Sequence, residues 1–300
     1  MAANFSPKLS LVRNARVMPF QGTMDFFRSG VFDAKGRFYE NSIIADRAKP
    51  SELLPVTQKL SGTYIFGGYL FFHFGHFLLE SLSRLYAIRQ CRNYPIIFTS
   101  PNDKTAEAHK LLFKFLRVDN EIVFQTEPVE VENLIMADAG SVVEPPFLFA
   151  EQVRALGIFR ASGQEIADRK IWLSRSKFKG GGLENEAEVE MELEAMGWTI
   201  VHPEELTYLE QAQLVSTSRQ VAGLDGSAFY SALLADTVHG EFTVFSRRNI
   251  IPEILRMALT AKTDKYRGFL IPLEHISGTF AEKRSILRDP RHILAHLRGL

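Results

Sequence analysis

Four short polar clusters carry the chemistry open to this sequence. Ser174-Arg175-Ser176-Lys177, with Lys179 close behind, closes the apolar run Ile171-Trp172-Leu173. An arginine in that position can grip a phosphate in a two-pronged fork, and a lysine adds a point charge. Gly223-Leu224-Asp225-Gly226-Ser227-Ala228 closes a second apolar run around Gln220-Val221-Ala222 and leads into a helix of small residues. Its glycines allow a tight turn, Ser227 can cap the helix, and the first amides then point at whatever lies beyond, which suits a phosphate or diphosphate. Pro203-Glu204-Glu205-Leu206-Thr207 follows a third run, Trp198 to Val201, and places carboxylates where ribose hydroxyls need an acceptor. The fourth cluster is Gly75-His76 at a helix start, with Glu80 one turn on, spaced to orient the imidazole. An imidazole there can take a proton from a hydroxyl or steady a leaving phosphate.

Each cluster also has a plain structural reading. The Asp225 loop fits a simple strand-to-helix turn, and 174–179 fits a solvated basic turn. Thr207 and Glu210 have capping-box spacing for the next helix, and capping is the role expected for Thr207. For Glu204 and Glu205, sugar binding and solvation stay open. His76 fits a histidine satisfied in an aromatic core beside Phe72 and Phe77. His73 is three residues away, but no cysteine or third ligand at zinc spacing accompanies the pair, so no metal is expected. The acidic run Glu184 to Glu194 reads as a solvated helix surface.

The elements that must position these groups alternate. Between Lys170 and Ser246, short apolar runs and helical stretches follow one another at the spacing of a parallel sheet covered by helices. Ligands of such sheets sit beyond the carboxyl ends of the strands, where Arg175, Glu204 and the Asp225 loop all fall. The N-terminal half reads similarly. A hairpin is expected over Phe26 to Phe38 with its turn at Asp33-Ala34-Lys35-Gly36, then a strand over Ser61 to Phe66 ended by Gly67-Gly68. A helix beginning near His76, a strand over Pro95 to Thr99 and an amphipathic helix over Lys104 to Arg117 follow. Short strands are expected at Ile122 to Phe124 and Asn133 to Ala137. Residues 1–60 show little periodicity. Phe147 to Arg160 reads as a helical bridge between halves. Near the C-terminus, Glu282 to Arg288 suggests a short basic helix, and Asp289-Pro290 suits the start of another running to about Arg298.

Whole-chain properties exclude several classes. Thirty-five basic residues balance thirty-five acidic ones across 300 positions, so no bulk field draws nucleic acid or an anionic membrane, and any anion site must be local. The single cysteine, Cys91, rules out an internal disulfide and a cysteine-rich metal site, in keeping with a reducing compartment. Met1 to Val12 lacks the apolar core of a signal peptide, and no apolar stretch approaches the ~20 residues of a spanning helix. A cytoplasmic location is expected. No Walker loop, no Gly-x-Ser-x-Gly elbow, no Asp-x-Asp and no full dinucleotide glycine spacing occurs.

Three blocks in fixed order resemble glycosyltransferase family 61. They are Phe74-Gly75-His76-Phe77-Leu78-Leu79-Glu80, Ile171-Trp172-Leu173-Ser174-Arg175-Ser176, and the segment from Pro203-Glu204-Glu205-Leu206 through Gln211 to Gly223 and Gly226-Ser227-Ala228. They span roughly residues 60–250, and the resemblance is to the bacterial branch that builds capsular and surface polysaccharides. It implies an α/β chain of GT-B type, with two Rossmann-like domains facing across a cleft, and inverting transfer without a metal or other cofactor. The expected division is an acceptor-side domain over 1–150, a nucleotide-sugar domain over 151–275, and a helical segment over 276–300 packing back on the first. Implied partners are a nucleotide-sugar donor, a UDP-sugar in the first instance, and a glycan or other hydroxyl acceptor. Donor-binding residues would be Ser174, Arg175, Lys179, Glu204, Glu205, Gly226 and Ser227. His76 would be the base, supported by Gly75 and Glu80, with Asp225 as the rival base. Many members carry Gly-Pro-His-Gly-Ala where this chain has Gly223-Leu224-Asp225-Gly226-Ser227, so phosphate contact here should fall to backbone amides and Ser227. Two alternatives stand beside this reading: a non-catalytic nucleotide- or glycan-binding partner, and a GT-B-like pyruvyltransferase.

Overall fold

A computed structural model describes residues 7–23, 26–44, 48–100, 109–178, 181–248, 250–277 and 284–298. The chain divides into two compact units, Met1–Leu156 and Gly157–Leu300.

The first unit is built on one mixed sheet. In chain order its strands are β1 (Leu9–Gly22), β2 (Phe27–Phe32), β3 (Phe38–Tyr39), β4 (Ala48–Pro50), β5 (Gln58–Tyr69), β6 (Ile96–Thr99), β7 (Ile122–Gln125) and β8 (Val129–Ala137). Their order across the sheet is β3-β2-β1-β8-β5-β6-β7, with β4 beside β2. Strands β8, β5, β6 and β7 run parallel, whereas β1 is antiparallel to both β8 and β2. Within the weakly periodic first 60 residues, β1, β2 and β3 thus form an antiparallel wing with β4 parallel to β2, and the inner positions Val12, Ala15, Val17 and Val31 join the core with Phe66, Ile97 and Leu134. The β2–β3 turn forms as its residues require: Asp33 Oδ1 accepts the amides of Lys35 and Arg37, both at 2.9 Å.

Gly67 and Gly68 do not end β5, as expected from sequence, but lie inside it. A Cβ at Gly67 would come within 2.5 Å of the Phe98 ring, and Gly68 has φ +112°, so glycine is needed for close approach rather than for a stop. Of the amphipathic stretch 104–117, Lys110–Phe115 is helical, and 101–108 lies outside the described residues. The bridge is shorter than its apolar content suggests. Two short paired strands, β9 (Ser141–Val142) and β10 (Phe147–Leu148), precede a helix over Ala150–Leu156.

The second unit is an open sheet of five parallel strands: β11 (Ala167–Leu173), β12 (Trp198–Val201), β13 (Ser218–Leu224), β14 (Glu241–Ser246) and β15 (Tyr266–Leu270). Both faces are covered, as a fully parallel sheet requires. Ile171 and Leu173 point to one face, packed with Val215, Phe229, Leu255 and Leu259. Trp172, between them, points to the other and packs with Val189, Leu193, Ile293 and Leu297. The spatial order β12-β11-β13-β14-β15 reverses direction between β11 and β13.

A further hairpin, β16 (Leu273–Ser277) with β17 (Arg284–Leu287), precedes the last helix, Arg291–Leu297. Three expectations are corrected here. The stretch expected as a basic helix over 282–288 contains β17, in which Leu287 pairs with Leu273 and Ile286 with Glu274 of β16. The C-terminal segment, expected to pack on the first domain, buries Ile293, Leu294 and Leu297 in the second unit's core beside the Glu186–Ala195 helix. The helix starts one residue later than expected, with Pro290 as its cap and Arg291 first, and Asp289 Oδ1 accepts the Arg291 amide at 2.9 Å.

Candidate functional site

The reversal between β11 and β13 leaves a crevice at their carboxyl ends, because the connections from the two strands depart in opposite directions. Two of the polar clusters are the loops at that point. β11 delivers Ser174 and Arg175, and β13 delivers Asp225, Gly226 and Ser227. Leu173 and Gly223 are paired neighbours, and a Cβ at Gly223 would fall 2.9 Å from the Leu173 carbonyl oxygen. Glycine here lets the two strands meet closely just below the crevice.

Arg175 is held from several sides. Its amide donates to Glu186 Oε1 at 3.0 Å, its Nε donates to the Gly181 carbonyl at 3.3 Å, and its guanidinium stacks 5.0 Å from the Phe178 ring centroid. A Cβ at Gly226 would lie 2.8 Å from Arg175 Nη1, so the guanidinium abuts the β13 loop. Gly226 has φ −176° and ψ 172°, extended backbone open to any residue. Space for the arginine explains this glycine, in place of the tight turn expected. Burial, followed by repulsion from Arg247, lowers the Arg175 pKa to about 10, with Glu186, Asp225 and Glu204 opposing the shift. The group stays cationic at neutral pH.

The segment after Gly226 is a 3-10 helix over Ser227–Leu234 with Gly226 as its cap, so Ser227 is its first residue and not the cap expected from sequence. Among the described residues, no acceptor takes the amides of Gly226, Ser227 and Ala228. The guanidinium thus abuts the loop whose amides lead into the 3-10 helix, and donors of both kinds suit an anion.

Asp225 is engaged elsewhere. Its carboxylate is 1% exposed, and its Oδ1 accepts from the Arg247 amide at 2.6 Å and from Arg247 Nε at 3.1 Å. Arg247 also donates from Nε to the Asp225 carbonyl at 2.6 Å and from Nη1 to the Gly181 carbonyl at 2.5 Å. Gly181 therefore accepts from two arginines and ties the basic loop to the β13 loop. An acid so enclosed holds cations in place; as a base it would have to give them up. Arg247 carried no motif signal, since it lies one residue beyond β14.

The remaining candidates separate clearly. Ser174 is buried and donates to Glu190, while the Ser176 amide donates to Ser174 Oγ at 3.0 Å. Glu205 is exposed and paired with Lys177 at 2.7 Å, and Glu204 is exposed beside it in the 3-10 turn Pro203–Glu205 that follows β12. Thr207 and Glu210 form the capping box that their spacing promised. Lys179 lies outside the described residues. The acidic run 184–194 is not simply a solvated surface: Glu186 is completely buried, and its Oε1 also accepts from Trp172 Nε1 at 3.2 Å.

In the first unit, β5 ends at Tyr69, and the chain turns through Phe74–His76 into a π-helical turn over Phe77–Ser81 instead of the regular helix expected. Such turns recur at functional sites because they reposition side chains. His76 Nδ1 contacts Glu80, whose carboxylate is buried while the imidazole is about a third exposed. The histidine in the aromatic core is a different one, His109, stacked on Phe77 at 3.8 Å and bonded through Nε2 to the Phe71 carbonyl at 2.7 Å, with Nδ1 buried and, among the described residues, unpartnered. Burial lowers its pKa to about 4.

The second unit is thus a doubly wound α/β domain with Arg175 and the Gly226 loop side by side at its switch point. The family model of glycosyltransferase 61 matches residues 74–238, from the Phe74-Gly75-His76 turn through the 3-10 helix after Gly226, and the chain belongs to this family. Among curated proteins, none matches the chain. A transferase of this kind takes a sugar donor and an acceptor. Among the described residues no helix is long and apolar enough to cross a membrane.

Proposed function

We propose that the chain is an inverting, metal-independent transferase of bacterial type, which moves a hexosyl or pentosyl unit from a nucleotide sugar to a hydroxyl of a growing surface polysaccharide in the cytoplasm. In this reading the two units are the Rossmann-like domains of a GT-B enzyme, and the second holds the donor, a UDP-sugar. One observation carries the proposal: the Arg175 guanidinium lies against Gly226 at the switch point, beside the three amides that open the 3-10 helix. As the bond from the anomeric carbon to the phosphate oxygen breaks, negative charge grows on the diphosphate, and these fixed donors stabilise it where it develops. Glu204 accepts from the ribose, and Asp225 anchors Arg247 behind the site. On the acceptor side His76, held by Glu80, takes the hydroxyl proton as the new bond forms on the opposite face of the sugar.

Donor hydrolysis and transfer with a panel of nucleotide sugars test this reading. Arg175→Ala should lower kcat by about 10²–10³, and His76→Ala by about 10²–10⁴ with nucleotide affinity retained. Full turnover in both variants would remove the proposed roles.

A further inference from the structure

Glu186 opens the helix that follows the basic loop, and it is completely buried, which is rare for a carboxylate. Its two oxygens are used unequally. Oε1 receives the Arg175 amide and the Trp172 indole N–H, whereas Oε2 is buried without a hydrogen-bond partner, 3.8 Å from where a Cβ on Gly182 would stand. An acceptor left half used in the interior is costly, and a sequence selected for stability alone would place an apolar side chain there. The bonds to Oε1 show what the carboxylate achieves. Trp172 is fixed in the core of the sheet, so the link from Trp172 through Glu186 to the Arg175 amide pins the backbone of the arginine one residue beyond the end of β11. With the backbone pinned, the stack on Phe178 and the bond to Gly181 direct the guanidinium to Gly226. Charge supports the geometry, because Glu186 offsets the repulsion between Arg175 and Arg247.

We propose that Glu186 is the positioning residue of the donor site: it fixes the Arg175 backbone, and acts on bound diphosphate only through that arginine. This deepens the donor reading of the crevice and rests on it for its consequence in binding.

The test compares full-length wild type with Glu186→Ala, Glu186→Gln, Arg175→Ala and the double variant Arg175→Ala/Glu186→Ala. Titration calorimetry with UDP and amide hydrogen exchange are the two readouts. Glu186→Ala should weaken UDP binding about tenfold or more and speed exchange of the Arg175 amide while the β13 and β14 amides stay protected. Glu186→Gln keeps an acceptor for both N–H groups and should bind UDP within about threefold of wild type. The double variant should bind no more weakly than Arg175→Ala, since one group works through the other. A folded Glu186→Ala protein with wild-type affinity and a still-protected Arg175 amide would overturn the proposal, as would additive losses in the double variant. Where Glu186→Ala does not fold, wild type and Glu186→Gln decide: the Arg175 amide must exchange at the slow rate of β11 in both, and exchange at the rate of an open loop overturns the assignment. Wild type that binds no UDP, GDP or CDP would sink the donor reading alone, and the exchange measurements would still decide whether Glu186 holds Arg175.

Discussion

Arg84 and Arg175 are both withdrawn from solvent, yet their surroundings suit opposite purposes. Arg84, in the first unit, is completely buried. It lies over the Phe66 ring, donates from Nε to the Ala137 carbonyl at 2.9 Å and from Nη2 to the Asn41 carbonyl, and leaves Nη1 without a partner. It ties the Asn41 carbonyl to the end of β8 at Ala137. Arg175 is only partly buried, at the switch point, abutting Gly226 and with Glu186, Asp225 and Glu204 near it. The first arginine is closed off and structural, the second keeps contact with solvent. Residue type and chain position did not separate them; the partners around each guanidinium do.

That contrast can be broken by substitution. The largest effect is expected at Arg84. Arg84→Ala removes one of the largest fully buried side chains and strips two carbonyls of a donor, so unfolding stability should fall by about 4 kcal/mol. Arg84→Met, which refills the volume, should recover about half of that. Denaturant titration of the two variants measures both.

A second expectation concerns the same unit. His109 is neutral in the fold because burial depresses its pKa from 6.5 to about 4. Between those values the unfolded chain binds the proton more readily than the folded one. The stabilisation present above about pH 6.5 is therefore lost as pH falls toward 4, by about 3 kcal/mol in all. His109→Gln keeps a donor for the Phe71 carbonyl and should flatten that part of the stability–pH curve. An unchanged slope would place the titration elsewhere.

Smaller effects, of a different kind, are expected in the second unit. Arg175→Ala should change stability by less than about 1 kcal/mol while weakening UDP binding by about 2 kcal/mol, the scale of a charge-assisted hydrogen bond. Gly226→Ala, whose new methyl group would displace the guanidinium, should cost about 1 kcal/mol of UDP affinity. Calorimetry and thermal unfolding on the same samples separate affinity from stability. If Arg175→Ala unfolds as readily as Arg84→Ala, the contrast between the two arginines is lost.

Much of the second unit could be read from the sequence, because its strands are short apolar runs and each ends in a group that breaks the pattern. The residues Ile171-Trp172-Leu173 marked β11, and Ser174-Arg175 marked its end. What escaped was set by tertiary contact. Glu186 sits in an acidic run, and only its placement under Trp172 and Arg175 distinguishes it from its neighbours on the helix. Arg247 had no motif, and its role depends on Asp225 being brought alongside by β13–β14 pairing. In the first unit, the polar and apolar residues of 1–60 do not alternate cleanly, so β1 was invisible locally although it pairs with β8 over most of its length. Gly67 was legible as glycine but misread as a stop, since the Phe98 ring that demands it lies on another strand.

The most direct test of the central claim is the structure of the chain with UDP bound. The diphosphate should lie at the β11–β13 switch point, with its oxygens within hydrogen-bond distance of the Arg175 guanidinium and of the Gly226, Ser227 and Ala228 amides. A nucleotide bound away from that crevice, with Arg175 and those amides untouched, would contradict the account.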